Sequence, residues 1–336
     1  MKNFTLKDIS STELKNFFNI FGFVKISNYF SEEISIISKE FNNSMNEKFG
    51  IKRSKKRNYF YPQFIEHNKN LTSLLEKDKI SILVKNLLGE KPIYSGSDGN
   101  IFTGSSPWHR DYLLKQRSLK MLCYLDPVDS RSGALRVIPG SHFVDDNFSC
   151  FLGDGLTWPE PPFEGGYDEK GFFGKGHNPT KYQDNSLIPS YVVETKPGDV
   201  IVFNHNIIHC TNYVMKKSIM PVKFGFKKQN IRRMFGIHFF SNPDNIKDLE
   251  LKKEIKKYME ELFIIEMKSF KQKSRFGHYE QNSKSEIINS FTKPIRHLSL
   301  NIEENFEGAY SKQSKDSLYF NSKNKGSKYD TNQILN

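Results

Sequence analysis

Cysteine is scarce: Cys123, Cys150 and Cys210 are the three in 336 residues. They are too widely spaced for a disulfide framework, and no Cys-x-x-Cys pair offers a zinc or redox site. They read as reduced, mostly buried thiols. Long hydrophobic runs are missing too. Nothing comes near the roughly 20 uncharged apolar residues of a membrane span, and Met1 to Phe4 lead into a charged amphipathic segment rather than a signal peptide. No membrane span is expected, and a cytoplasmic location is the default. Glycine, 21 residues spread without period, excludes collagen, while 37% hydrophobic and 14% aromatic residues suit an ordinary globular protein with a large core.

Acid is the minority charge, with 38 Asp and Glu against 50 Lys and Arg, net +12. The interval 211–240 holds no acidic residue at all and carries Lys216, Lys217, Lys223, Lys227, Lys228, Arg232 and Arg233. These cations are not interleaved with exposed aromatics in any recognisable binding module, so no nucleic-acid partner is expected. A small-molecule substrate is expected, and the basic stretch favours an anionic one.

Residues 1–90 form a helical and strand flank. Ser10 to Glu13 read as a capping box before Leu14, Phe17, Phe18 and Phe21, with Gly22 as the stop, and Phe23 to Ile26 as a strand. Ser31 caps a second helix through Ile34, Ile37, Phe41 and Met45, and Thr72 to Leu88 repeat the helical period. From Pro92 the period becomes alternating. Strand-like runs span Pro92–Ser95, Ile101–Gly104, Leu119–Leu125, Leu135–Ile138, Tyr191–Glu194, Asp199–His209, Val222–Phe226 and Arg233–Phe240. Eight short strands with turn-rich connections predict an antiparallel sandwich or jelly roll over 91–240. Residues 151–190, rich in glycine and aromatics, interrupt it as a candidate lid. Residues 241–310 form a C-terminal helical flank with an amphipathic helix over 246–270, which has either its own barrel or a neighbouring copy to pack on, so the oligomeric state stays open. Residues 311–336 read as a disordered tail.

Trp108-His109-Arg110-Asp111 sets an imidazole and a carboxylate two residues apart, on one face of an extended chain. Two imidazoles and one carboxylate on one face of an octahedral ion are the donor set of non-heme Fe(II) oxygenases, so a third ligand from a distant strand is required. His205 and His209 are both available. On one regular strand they share a face about 13 Å apart, so one of them is left as an interior histidine. A cation for the far carboxylate of a 2-oxo acid is offered by Arg232 and Arg233, of which one must point inward and the other out.

Trp108-His109-x-Asp111, then Ser132-Gly133-Ala134-Leu135-Arg136-Val137-Ile138-Pro139-Gly140-Ser141-His142, then Pro197-Gly198-Asp199 with Phe203, leading to His209-Cys210-Thr211-Asn212, resembles the phytanoyl-CoA dioxygenase (PhyH) family over about Leu6 to Phe240. The resemblance implies a mainly β double-stranded β-helix, the cupin-like jelly roll, with flanking helices. It implies an oxidoreductase using Fe(II), 2-oxoglutarate and O2, which hydroxylates a small molecule and converts 2-oxoglutarate to succinate and CO2. His109, Asp111 and His209 match the family's catalytic metal ligands. Arg232 matches its 2-oxoglutarate anchor, and Thr211 a hydroxyl on the same carboxylate. The spacing from His209 to Arg232 exceeds the family's usual one, with Lys216 to Gln229 as an apparent insertion, so Arg233 and Lys223 stand behind Arg232. His142 reads as structural. The alternative from another class is a non-catalytic cupin-like binding protein.

Overall fold

The computed structural model describes residues 2–50, 59–102, 106–109, 111, 116–130, 132–143, 190–211 and 231–269, with backbone alone at 69, 106–109, 258 and 261–269. The candidate lid at 151–190, except its last residue, the strand expected at Val222–Phe226, the apparent insertion Lys216 to Gln229 and the tail 311–336 lie outside the described residues.

The N-terminal flank forms where capping chemistry allows. Helix α1 (Thr12–Phe21) starts at Ser11, whose side chain accepts from the Leu14 N–H, and stops at Gly22, whose φ of 78° no branched side chain tolerates well. Strand β1 (Phe23–Ile26) follows, then α2 (Ile34–Phe49). That helix begins three residues after the expected cap at Ser31. The helix expected over Thr72 to Leu88 is broken: α3 (Lys69–Thr72) and a 3-10 turn at Ser73–Glu76 precede α4 (Asp78–Leu88). Asn68 caps α3 by accepting from the Asn70 and Leu71 N–H groups, which starts the first piece early.

Ten strands are present among the described residues. Besides β1 they are β2 (Tyr59–Pro62), β3 (Ile93–Phe102), β4 (Ser106–His109), β5 (Ser118–Tyr124), β6 (Leu135–Val137), β7 (Tyr191–Val193), β8 (Val200–Phe203), β9 (His209–Thr211) and β10 (Arg232–Phe240). Two expected runs merge into β3, because it pairs with β10 along its whole length and the polar Ser95 to Asn100 interior is absorbed into the ladder. The run Asp199–His209 instead splits into β8 and β9, because Asn204 turns the chain: its carbonyl accepts from the Ile207 N–H and its side chain from the Asn206 N–H.

The strands form two antiparallel sheets, β1-β8-β5-β10-β3-β2 and β4-β9-β6-β7. Alternation decides what each face does. Along β10 and β5, Phe235, Ile237, Phe239, Leu119, Met121 and Cys123 pack outward, with α1, α2 and α4, in one core. Leu122, Tyr124, Ile201 and Phe203 face inward against Ala134, Leu135, Val137 and Val193 of the second sheet, forming another. Two sheets closed over a common interior are the expected double-stranded β-helix. After β10, helix α5 (Leu249–Ser269) places Ile255 and Met259 in the outer core, so it packs on its own chain.

The Pro197-Gly198-Asp199 motif is architectural. Gly198 at φ 94° offers its carbonyl to the Phe30 N–H, and Asp199 accepts from the Asn28 N–H while pairing with Lys25 at 3.1 Å. No described helix is long and apolar enough to cross a membrane. Phe64 is fully buried against Phe41 and Phe235, with Gly99 leaving it room. Phe64→Ala is expected to cost about 3–5 kcal/mol of unfolding free energy, read from urea denaturation; a loss below about 1 kcal/mol would contradict this packing.

Candidate functional site

The polar residues of the barrel sit where the two sheets come together. On the smaller sheet His109 is the backbone partner of His209, and Thr211 lies across from Ser106 and Leu135. The His209 Nδ1–H donates to the Ile207 carbonyl at 3.0 Å, which makes Nε2 the acceptor nitrogen of the ring. That Nε2 lies 3.6 Å from Asp111 Oδ1. This is too far for a hydrogen bond and close enough for both atoms to serve one ion. The Asp111 N–H donates to the His205 carbonyl at 3.0 Å, so the turn that follows β8 holds Asp111 in front of His209. Among the described side chains no third His, Cys, Asp or Glu joins the pair.

Arg232 and Arg233 part company as strand alternation requires. Arg232 is 2% exposed: its Nη1 donates to the Gly133 carbonyl at 2.6 Å, and its guanidinium lies 5.2 Å from the centre of the Phe102 ring. A Cβ on Gly133, itself at φ 91°, would fall 1.6 Å from Arg232 Nη1, so glycine is what lets the guanidinium in. Arg233 faces the helices. It grips Asp126 through Nη2 at 2.6 Å and Nε at 3.1 Å, and reaches Asn42 on α2 at 3.1 Å.

Further along the inner face of β10, the His238 Nε2–H donates to Asp98 Oδ2 at 2.7 Å, which makes Nδ1 the acceptor for the His205 Nε2–H, 2.9 Å away. Lys120 pairs with the same Asp98 oxygen at 2.9 Å. Burial opposes the charge on Asp98, yet Lys120 and His238 outweigh it and hold the carboxyl well below the usual range. Burial works likewise against Lys120, and Asp98 and Asp111 overcome it, raising the ammonium. For His205 burial prevails, assisted by His238, and its pKa falls well below 6.5. The Tyr124 hydroxyl is pushed up to about 12 by burial, although Arg232 and Lys120 pull it down.

The PhyH family, phytanoyl-CoA dioxygenase, matches residues 18–213. The chain belongs to this family. PhyH membership places it among the Fe and 2-oxoglutarate oxygenases and agrees with the two-sheet barrel. Similar solved structures include EctD from S. alaskensis in its apoform, at 17% identity, TM-score 0.49, 69% of this chain and 78% of that one. HygX from Streptomyces hygroscopicus, with nickel and 2-oxoglutarate bound, shows 15% identity and TM-score 0.48 over 68% and 86% of the two chains. The carbocyclase SnoK from nogalamycin biosynthesis shows 16% identity and TM-score 0.47 over 72% and 88%. No curated protein matches in sequence.

Within this PhyH barrel, Asp111 and His209 come together, Thr211 and Arg232 are buried, and the backbone of His109 pairs beside them. His142 is structural, its Nε2 meeting the Asn19 carbonyl at 3.0 Å, and Cys123 and Cys210 are buried free thiols. Asp98, Asn100, Lys120 and Tyr124 escaped the sequence reading. The available signal was parity with Arg232 and His238, which becomes usable once the strand pairing is known.

A histidine kept neutral by burial binds a proton only when unfolded. Stability is therefore full above pH 6.5 and falls by about 1.4 kcal/mol per pH unit below it. Urea midpoints compared between pH 7.5 and 5.5 are expected to drop more for the wild type than for His205→Phe; equal drops would contradict the burial of a neutral His205.

Proposed function

We propose that the chain is an Fe(II)- and 2-oxoglutarate-dependent dioxygenase that hydroxylates a small-molecule substrate. His109, Asp111 and His209 are the metal ligands, and Arg232 with Thr211 holds the distal carboxylate of 2-oxoglutarate. The observation that carries the proposal is the meeting of Asp111 and His209 with their donor atoms 3.6 Å apart, in an interior that also buries a guanidinium. The donors suit iron: an imidazole with its tautomer fixed by the Ile207 carbonyl and a carboxylate held by its own backbone.

When bound, iron and 2-oxoglutarate together supply an oxidant from O2, with release of succinate and CO2. The residues of the chain provide the placement. His209 and Asp111 come from segments tied to one turn, so their separation is set before any ligand arrives, and little is lost in ordering them. Arg232 offers its planar fork to a carboxylate where water is excluded, and charge-assisted bonds of this kind gain strength on desolvation. The Tyr124 side chain, close enough for Arg232 to act on its hydroxyl, closes the same interior. With an aspartate at 111, the carboxylate position is filled, which favours hydroxylation of the substrate. The cytoplasm, with its reduced thiols, is the compartment proposed for this chemistry.

Anaerobic titration with Fe(II) and 2-oxoglutarate tests the proposal without a substrate, through the weak visible charge-transfer band of a keto acid chelated to iron. A band is expected that disappears in His109→Ala. Arg232→Ala is expected to raise the 2-oxoglutarate concentration needed by at least about tenfold, as loss of a buried charge-assisted pair requires, whereas Arg233→Ala leaves it within about twofold. No band in folded, metal-loaded protein would overturn the oxygenase reading and favour a non-catalytic binding protein.

A further inference from the structure

His205, the histidine that the metal-ligand assignment leaves over, occupies the apex of the turn between β8 and β9. It is 0% exposed. Its ring lies within 8° of the plane of His238, joined to it edge to edge at 2.9 Å, and stacks on Phe240 with centroids 5.7 Å apart. His238 in turn is held by Asp98 at 2.7 Å, and Asp98 by Lys120 at 2.9 Å and by Asn100 at 2.5 Å. The chain of contacts therefore crosses three neighbouring strands, β5, β10 and β3, before it reaches the turn. At its other end the main-chain carbonyl of His205 accepts the Asp111 N–H at 3.0 Å, and four residues further along the chain His209 begins β9.

We propose that His205 and His238, braced by Asp98 and Lys120, are positioning residues that fix the spacing between Asp111 and His209 for the metal. This inference rests on the assignment of those two side chains as ligands. The five residues Asn204 to Ile208 belong to no strand, and their backbone is tied mainly at the two ends, through the Asn204 N–H to the Gly22 carbonyl and the Ile208 carbonyl to the Ile138 N–H. The His205 ring ties the middle of the turn to the larger sheet as well, through His238 and Asp98. The chain suits this role because its links are hydrogen bonds and an ion pair among largely buried side chains: loosening one separates polar groups from their partners at a cost, so the turn stays seated. Asp98, held ionised, is the fixed point, and its bond to His238 sets which edge of that ring faces His205.

Fe(II) affinity, measured anaerobically by competition with a chromogenic chelator, tests the brace without turnover. His205→Phe keeps the main-chain carbonyl and the stacking on Phe240 but removes the donor at the ring edge; a 10- to 100-fold weaker affinity is expected, the usual loss for a partner that orients a ligand. His205→Gln retains a donor at the corresponding position and is expected to stay within about threefold of the wild type. His238→Phe breaks the same chain one link further away. It is expected to match His205→Phe, and the double variant to be no weaker than either, because both changes cut one connection. Unchanged affinity in folded His205→Phe, an equal loss in His205→Gln, or additive losses in the double variant would each overturn the brace. Should the wild type take up no Fe(II), the ligand assignment itself falls and the brace with it, an outcome distinct from wild-type binding that the variants share.

Discussion

A guanidinium cannot be left bare inside a barrel, and the burial of Arg232 governs much of this molecule. Two adjacent arginines on a strand must face opposite ways. Arg232 turns inward and takes the Gly133 carbonyl and the face of Phe102, while Arg233 turns outward and clamps Asp126 and helix α2. The same alternation runs along β10 to Phe239, so that Met234, Gly236 and His238 look inward while Phe235, Ile237 and Phe239 fill the outer core. Register on the neighbouring strands follows: Lys120 and Asp98 are carried to the interior beside His238 and Gly236. Gly236 is small because Lys120 and Asp98 pass over it, with Lys120 Cε 2.4 Å from where a Cβ would sit.

Charge balance follows from this arrangement. Among the described interior residues, two basic side chains, Arg232 and Lys120, are matched by two acidic ones, Asp98 and Asp111, with burial pressing His205 toward its neutral form. Lys120 and Arg232 have different partners: Lys120 pairs with Asp98, whereas Arg232 donates to the neutral Gly133 carbonyl.

Much of this was legible in the sequence. His109-x-Asp111 and His209 stand in recognisable surroundings, and the turn that separates His205 from His209 is written as Asn204-His205-Asn206, though its alternating apolar flanks resemble one continuous strand. Reading it as one strand put the two histidines on a shared face; the structure puts His205 in a turn and His209 at the start of β9. The choice between Arg232 and Arg233 was undecidable from the pair alone, because parity is relative and needs one strand with a known inward residue. Asp98, Lys120 and Tyr124 were invisible for the same reason: a charged residue in an alternating strand ordinarily faces water, and only the closing of one sheet over another reverses that expectation. Glycines told more than they first showed. Gly22, Gly133 and Gly198 mark left-handed turns, and Gly133 also makes room for a buried cation.

The account centres on one metal between His109, Asp111 and His209, with 2-oxoglutarate reaching from it to Arg232. A crystal structure of the protein loaded anaerobically with Fe(II) and 2-oxoglutarate, with anomalous data at the iron edge, tests this most directly. An anomalous peak within bonding distance of Asp111 Oδ1 and His209 Nε2, and a carboxylate lying against the Arg232 guanidinium, is the result it predicts. A peak elsewhere, or a distal carboxylate seated on Lys120 with Arg232 untouched, would contradict it.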